Sequence, residues 1–321
     1  MSSRPSDFTL TSPGPLRLYS MTELLKLPPP TWLIKDILPS GGLIGLYGQP
    51  GTSKSFVAID FAMCVATGKA WLGHDVEPGW ALYISAEGGA GIGKRGAAWV
   101  HHHQADPRTA KIVWLIESMH ISSTADSMEQ LFDRVQNELG LTPSLVVIDT
   151  LARCFDGDEN QQEDMGKFVA GVDRLRKEFG ATVIVVHHTR LDGDRERGNT
   201  AFRGAADAMI SIVRDKPTGH ITLSCSKQKD AEEFAPFQLM LTAVPEFESC
   251  VIESATQNVE GRILEVLAGG PHSLKALQQR LPSLSKSTIL RRLRELVGEK
   301  ILIREEDERH VTYAVNLGTS K

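Results

Sequence analysis

Five short runs in the first two thirds of the chain are apolar at nearly every position: LIGLY (43–47), WALYISA (80–86), IVWL (112–115), LVVID (145–149) and TVIVV (182–186). Strands of this kind are buried on both faces, so they predict a mostly parallel sheet covered by helices on each side. The stretches 55–65, 127–139 and 165–179 carry apolar residues at three- and four-residue spacing, as covering helices do. After residue 201 the runs shorten and alternate, at 209–213, 220–226 and 237–241, which predicts antiparallel strands continuing the same sheet. Near 259 a different pattern begins. Helix-like stretches at 259–267, 274–281 and 285–297 precede ILIRE and HVTYAV, two strand-like runs separated by a charged turn. Three helices and a hairpin predict a winged-helix module. The expected division is a flexible arm over 1–20, an α/β core over 21–252, a polar linker over 253–258 and a winged-helix-like domain over 259–321. Trp32, Leu33, Ile34 and Ile37, after three prolines, are expected to dock on the core.

A length of 321 residues fits one large domain and one small one. Hydrophobic residues at 41% and charged residues at 23% exclude a disordered or fibrous chain. The net charge of -5 gives no global attraction to nucleic acid, so any such binding must come from a local basic patch. The four cysteines, Cys64, Cys154, Cys225 and Cys250, lack metal-site or framework spacing and read as thiols of a reducing cytoplasm. No apolar run reaches spanning length and the N-terminal stretch has no signal-like apolar region, so neither secretion nor membrane insertion is expected.

The segment GQPGTSKS follows an apolar strand and opens a helix, which is the setting of a phosphate-binding loop. Gly48, Gln49, Pro50, Gly51, Thr52, Ser53, Lys54, Ser55 and Phe56 are therefore the candidate nucleotide contacts. Backbone N–H groups and the helix N-terminus would wrap the phosphates, Lys54 would reach their oxygens, and Ser55 would hold Mg2+. Ser53 stands where the general pattern has glycine, and Gly51 is expected to take up the bend. Asp149, at the end of its apolar strand, is the second candidate metal-holding residue. Glu87 closes another strand, with glycines behind it, and is the candidate base for an attacking water; a solvated loop glutamate is the competing reading. His187 and His188 end a third, where either could sense a terminal phosphate, with His187 favoured over a merely structural histidine. His101, His102 and His103 are consecutive on a helix, point apart, and do not read as a metal site.

Taken together, TWLIKDILPSGGLIGLYGQPGTSKS, ALYISAEGG, LVVIDTLARCFDGDENQQEDMGKFV, VVHHTR and RGNTAFRGAADAMISI resemble RecA-like P-loop ATPases of the hexameric plasmid replicative-helicase group and its phage and prophage relatives, over roughly 30–245. The resemblance implies a RecA-like core of AAA-type ATPase kind that hydrolyses ATP with Mg2+, and head-to-tail assembly into a homo-oligomeric ring, a hexamer, with each nucleotide at a subunit boundary. It also implies a cation supplied by the neighbour. Lys227 and Lys229 in CSKQKD stand where relatives carry Lys-x-Arg, and Arg203 in AFRGAADA competes with them; a solvated strand face is the bland alternative. Lysine would be a weaker finger than arginine because it lacks the planar fork.

In the C-terminal module the third helix begins after Ser285 and carries Lys286, Arg291, Arg292 and Arg294, the candidate DNA contacts. Basic residues there only slightly outnumber acidic ones, so affinity is expected to be modest and salt-sensitive, and a protein-contact role competes. The expected function is an ATP-driven replicative helicase or helicase loader on single-stranded DNA, with replication or recombination proteins as partners. A recombination mediator and an ATP-switched DNA-binding regulator are the alternatives.

Overall fold

The computed structural model describes residues 19–87, 89–122, 124–159, 161–188, 200–282, 284–307 and 310–316. The chain divides into two units, one ending at Thr31 and the other running from Trp32 to Lys321. In the first, α1 (Met21–Leu24) is a single turn held by a capping box: Ser20 Oγ accepts from the Glu23 amide, and the Glu23 carboxylate accepts from the Ser20 amide. Ser20, expected in a flexible arm, is the cap of this turn. Residues 1–18 of that arm lie outside the described residues.

The second unit opens with β1 (Trp32–Ile34) and β2 (Leu38–Pro39), a small antiparallel pair. Leu33, Ile34, Ile37 and Leu38 are all buried in the core of this unit, as the lead-in pattern predicts. There follow β3 (Leu43–Gly48), α2 (Lys54–Thr67), β4 (Trp80–Ser85), α3 (Gly89–His102) and β5 (Ile112–Leu115). Next come α4 (Asp126–Phe132), continued by a π-helical turn (Asp133–Glu138), then β6 (Pro143–Asp149), α5 (Leu151–Cys154), α6 (Gln162–Phe179) and β7 (Thr182–His188). The helix predicted over 127–139 is thus two winding types in succession. After α7 (Thr200–Ala205), the strands β8 (Ala208–Arg214), β9 (Ile221–Gln228), β10 (Phe237–Val244) and β11 (Ser249–Ser254) complete the sheet.

That sheet has nine strands among the described residues, in the order β11-β10-β9-β8-β3-β7-β6-β4-β5. The six from β8 to β5 are parallel and the other three antiparallel. Alternate residues of the central strands enter two cores. Ile44, Leu46, Ile184 and Val186 join one with α2 and α3, whereas Leu43, Val183 and Val185 join the other with α5 and α6. The α2 helix is buried around most of its circumference, from Val57 through Ala66, so its apolar residues show no single stripe. The α6 helix covers one face only, with Met165, Phe168, Val172, Leu175 and Phe179 turned inward. The parallel strands β3, β7, β6 and β4 end at one edge, where crevices open in sheets of this kind.

The polar stretch 253–258 is not a linker. Glu253 and Ser254 are the last residues of β11, paired with Met240 and Leu239, and α8 (Ala255–Ala268) starts at the next residue and packs on β10 and β11. Its polar composition reflects an outer strand passing directly into a helix. Beyond α8 come β12 (His272–Ser273), α9 (Leu274–Arg280), α10 (Lys286–Gly298), β13 (Leu302–Asp307) and β14 (His310–Val315). The three strands form an antiparallel sheet in the order β12-β14-β13. With the three helices they enclose a core of their own, including Ile263, Leu277, Ile289, Leu293 and Tyr313. No helix among the described residues is long and apolar enough to cross a membrane.

Candidate nucleotide site

The loop between β3 and α2 owes its path to small residues and left-handed turns. A Cβ on Gly48 would lie 2.2 Å from the Ile212 carbonyl oxygen of β8, so only glycine lets the two strands sit this close. Gly51 has φ +80°, and Ser53, directly before α2, has φ +76°. Gly51 therefore does not relieve Ser53, as the sequence suggests; both positions adopt the left-handed conformation, at about 1 kcal/mol for the serine. Thr52 Oγ1 donates to the Gln49 carbonyl at 2.9 Å, while Gln49 and Pro50 are exposed. Lys54 is buried, and its ammonium donates to the carbonyls of Gly48 and Gln49, both at 2.8 Å. Burial lowers its pKa to about 8, against the pull of Asp149 and Glu87.

Four strand ends converge on this loop. Asp149 closes β6 and is 5% exposed; Tyr83 Oη donates to its Oδ2 at 2.7 Å, and its Oδ1 has no hydrogen-bond partner. Burial pushes this carboxyl up, opposed by the hydroxyls of Tyr83 and Ser55, with Glu87 adding to the rise and Arg95 opposing it. Glu87, just past β4, is exposed and accepts from Thr150 Oγ1 at 2.8 Å. His188 pairs in register with Gly48, and its Nε2 lies 3.7 Å from Glu87 Oε1. Burial, followed by the charge of Lys54, lowers its pKa, so the ring is neutral near pH 7.

Strand alternation separates the two histidines. His187 faces the other side of the sheet, 2% exposed, its Nε2 3.4 Å from Glu159 Oε2 and its ring edge-on to Phe202. His188, rather than the favoured His187, is the histidine beside Lys54 and Glu87. Sequence reasoning also misses Tyr83, Thr150 and Arg95, whose guanidinium lies over the Phe56 ring at 4.7 Å. A tyrosine inside an otherwise apolar strand is the signal that could have exposed the first of these. Arg95 and Thr150 carry no such signal, since their reach depends on how α3 and the β6 end are placed.

These residues suit a magnesium nucleotide. The unpartnered Asp149 oxygen and the Ser55 hydroxyl are hard donors of the kind magnesium takes, and the loop supplies backbone amides and a buried ammonium for the phosphates. Residues 21–194, more than half of the chain, match the family model described as an AAA domain. The chain belongs to the AAA-domain family. Members are ATPases of the P-loop class, and the matched span contains the loop, Glu87, Asp149 and both histidines. No curated protein matches the chain.

The remaining candidates of this AAA-domain ATPase lie elsewhere. Lys227 donates to the carbonyls of Arg203, Gly204 and Ala206 at the end of α7, which engages its ammonium locally. Arg203 Nη2 donates to the Ser226 carbonyl, while Lys229 lies on the surface 3.4 Å from Asp207 Oδ1. Lys229 lies level with the start of β3, opposite its own phosphate loop, because β8 runs parallel to β3 and the Lys229 amide donates to the Asp207 carbonyl just before β8; Lys227 pairs with Met209, two residues further along. Each histidine of the 101–103 run meets a different partner, although the His102 and His103 rings also lie edge-on with centroids 5.0 Å apart. His101 meets Phe247, the His102 ring is 3.0 Å from Glu253, and His103 stacks on Trp99, with burial taking its pKa down to about 4.

In α10, Ser285 Oγ caps the helix by accepting from the Thr288 amide. Lys286, Arg291 and Arg294 are exposed. Arg292 is not available as a DNA contact: its side chain is 13% exposed and paired with Glu260, Glu295 and Glu299.

Proposed function

We propose that this chain is a RecA-like ATP-hydrolysing motor acting on DNA, a replicative-type helicase or helicase loader, working as a ring with the nucleotide at each subunit boundary. The observation that carries the reading is the convergence of Lys54, Asp149, Glu87 and His188 on the ends of adjacent parallel strands. In this reading Ser55 and Asp149 would hold Mg2+, which would supply positive charge to the phosphates. Lys54 leaves its two loop carbonyls for the phosphate oxygens. Glu87, steadied by Thr150, orients the attacking water and accepts its proton, and neutral His188 donates toward the terminal phosphate.

The position of Lys229 supports the ring. Five or six residues along β3 separate its level from its own phosphate loop, roughly 17–20 Å, so it serves a neighbour's site or none. The order helix, strand, helix, helix, hairpin supports a winged-helix module, and exposed Lys286, Arg291 and Arg294 on its third helix support DNA contact.

ATPase rates with and without single-stranded DNA, together with a strand-displacement assay, test the proposal. Stimulation with unwinding is expected. Stimulation alone would favour a recombination mediator, and neither would favour a regulator that uses nucleotide as a switch. Glu87→Gln should bind Mg-ATP at wild-type affinity in calorimetry and turn over on the order of 100-fold or more slower. Undiminished turnover would remove Glu87 from the role of base.

A further inference from the structure

Tyr83 lies in the middle of β4, wholly buried, in a run where packing alone would be served by phenylalanine. Its ring packs against Trp114, with centroids 4.9 Å apart. The register pairs Tyr83 with Val147 and Ser85 with Asp149, so the phenol reaches two positions along the neighbouring strand to meet the carboxylate. A buried hydroxyl without a partner is costly, and here the partner is Asp149 Oδ2. The torsion that turns a carboxylate about its last bond is soft, and a single 2.7 Å hydrogen bond on one oxygen removes most of that freedom. Asp149 Oδ1 is left buried with no donor at hydrogen-bond distance, although the Ser55 hydroxyl is near enough to favour the ionised carboxylate.

We propose that Tyr83 is a positioning residue for the metal-holding carboxylate: by holding Asp149 through Oδ2, it presents Oδ1 to the magnesium shell of the bound nucleotide. The inference rests on the Mg-nucleotide reading above and gives a structural hydroxyl a part in metal affinity. Tyr83 touches neither phosphate nor water itself, and its effect passes through Asp149.

Calorimetric titration of ADP into the full chain over a series of Mg2+ concentrations separates the two possibilities. In Tyr83→Phe, the Mg2+ concentration giving half of the metal-dependent gain in ADP affinity should rise about tenfold, the equilibrium equivalent of one hydrogen bond to a charged group. Metal-free ADP affinity should stay within about twofold of wild type, because the phosphate loop is untouched. An unchanged Mg2+ requirement overturns the proposal, and so does an equal loss of metal-free and metal-dependent affinity, which would mean general loosening. Should the variant fail to fold, the intact chain carrying fluorotyrosine supplies the reading: the fluorine signal of Tyr83 should shift when Mg2+ joins the ADP-bound protein. No metal-dependent shift overturns the proposal. Absence of any Mg-nucleotide binding by the wild-type chain would instead remove the ATPase reading itself, and this inference with it.

Discussion

Ser53 is held in a conformation that a side chain disfavours, and it stands at the mouth of the phosphate loop. Ser53→Gly should relieve about 0.5–1 kcal/mol of backbone strain, visible as a higher melting temperature of the nucleotide-free protein. A lower melting temperature would show that the serine hydroxyl, which makes no capping bond to α2, has another partner. Asp60, buried in the core, also has a measurable signature. Its two carboxylate oxygens accept from the indoles of Trp71 at 2.9 Å and Trp99 at 2.6 Å, and burial, partly offset by these bonds, raises its pKa from 3.8 to about 6. A raised folded value means that the native state binds this proton more tightly. The stabilisation is therefore complete below about pH 3.8 and lost as the pH rises through about 6, with a span on the order of 3 kcal/mol. Denaturant unfolding of wild type and Asp60→Asn at pH 4, 5, 6 and 7 should show their stability difference shrinking by about that amount. A constant difference would mean that the carboxyl titrates alike in both states.

At the scale of one helix, α10 separates basic residues with different work. Its buried face, Ile289, Leu293 and Leu296, fixes which side chains face outward. Arg292 falls between the two faces and is spent on three glutamates, one of them Glu260 of α8, whereas Arg291 and Arg294 remain exposed. Removing both Arg291 and Arg294 should weaken DNA binding and lower the slope of log affinity against log salt by about 2. Arg292→Ala should instead lower stability by about 1–3 kcal/mol, through the uncompensated Glu260 and lost packing, and leave the salt slope unchanged. An unchanged slope in the double variant would end the DNA reading of this helix. Composition could not sort these arginines, because four cations on one helix look alike until the neighbouring helix supplies its glutamate.

At the scale of the whole molecule, the nine-stranded sheet places the phosphate loop at one edge and Lys229 at the other. The proposed ring, in which each subunit completes its neighbour's site, makes use of that separation. Mixing wild-type subunits with Lys229→Ala subunits should then reduce ATPase activity more steeply than the fraction of variant added. A strictly proportional loss would count against transfer across a subunit boundary. Lys227 is the poorer candidate, since its three carbonyl partners at the α7 end would have to be given up.

The local pattern of residues determined the parallel strands and the phosphate loop, because full burial demands apolar runs and a tight phosphate turn demands small residues at fixed offsets. It also determined that Asp149 and the two histidines end strands and that Glu87 follows one. Which of these meet was decided by tertiary structure alone. The strand order sets Asp149 beside Ser85 and His188 beside Gly48, and strand parity turns His187 toward Glu159 on the other face. Tyr83, Thr150 and Arg95 enter the site through neighbouring strands and a covering helix, contacts between segments far apart in the chain. The supposed linker belongs to the same class: of its six residues, five of them polar, the first two end a strand because β10 is there to pair with them, and the rest start a helix.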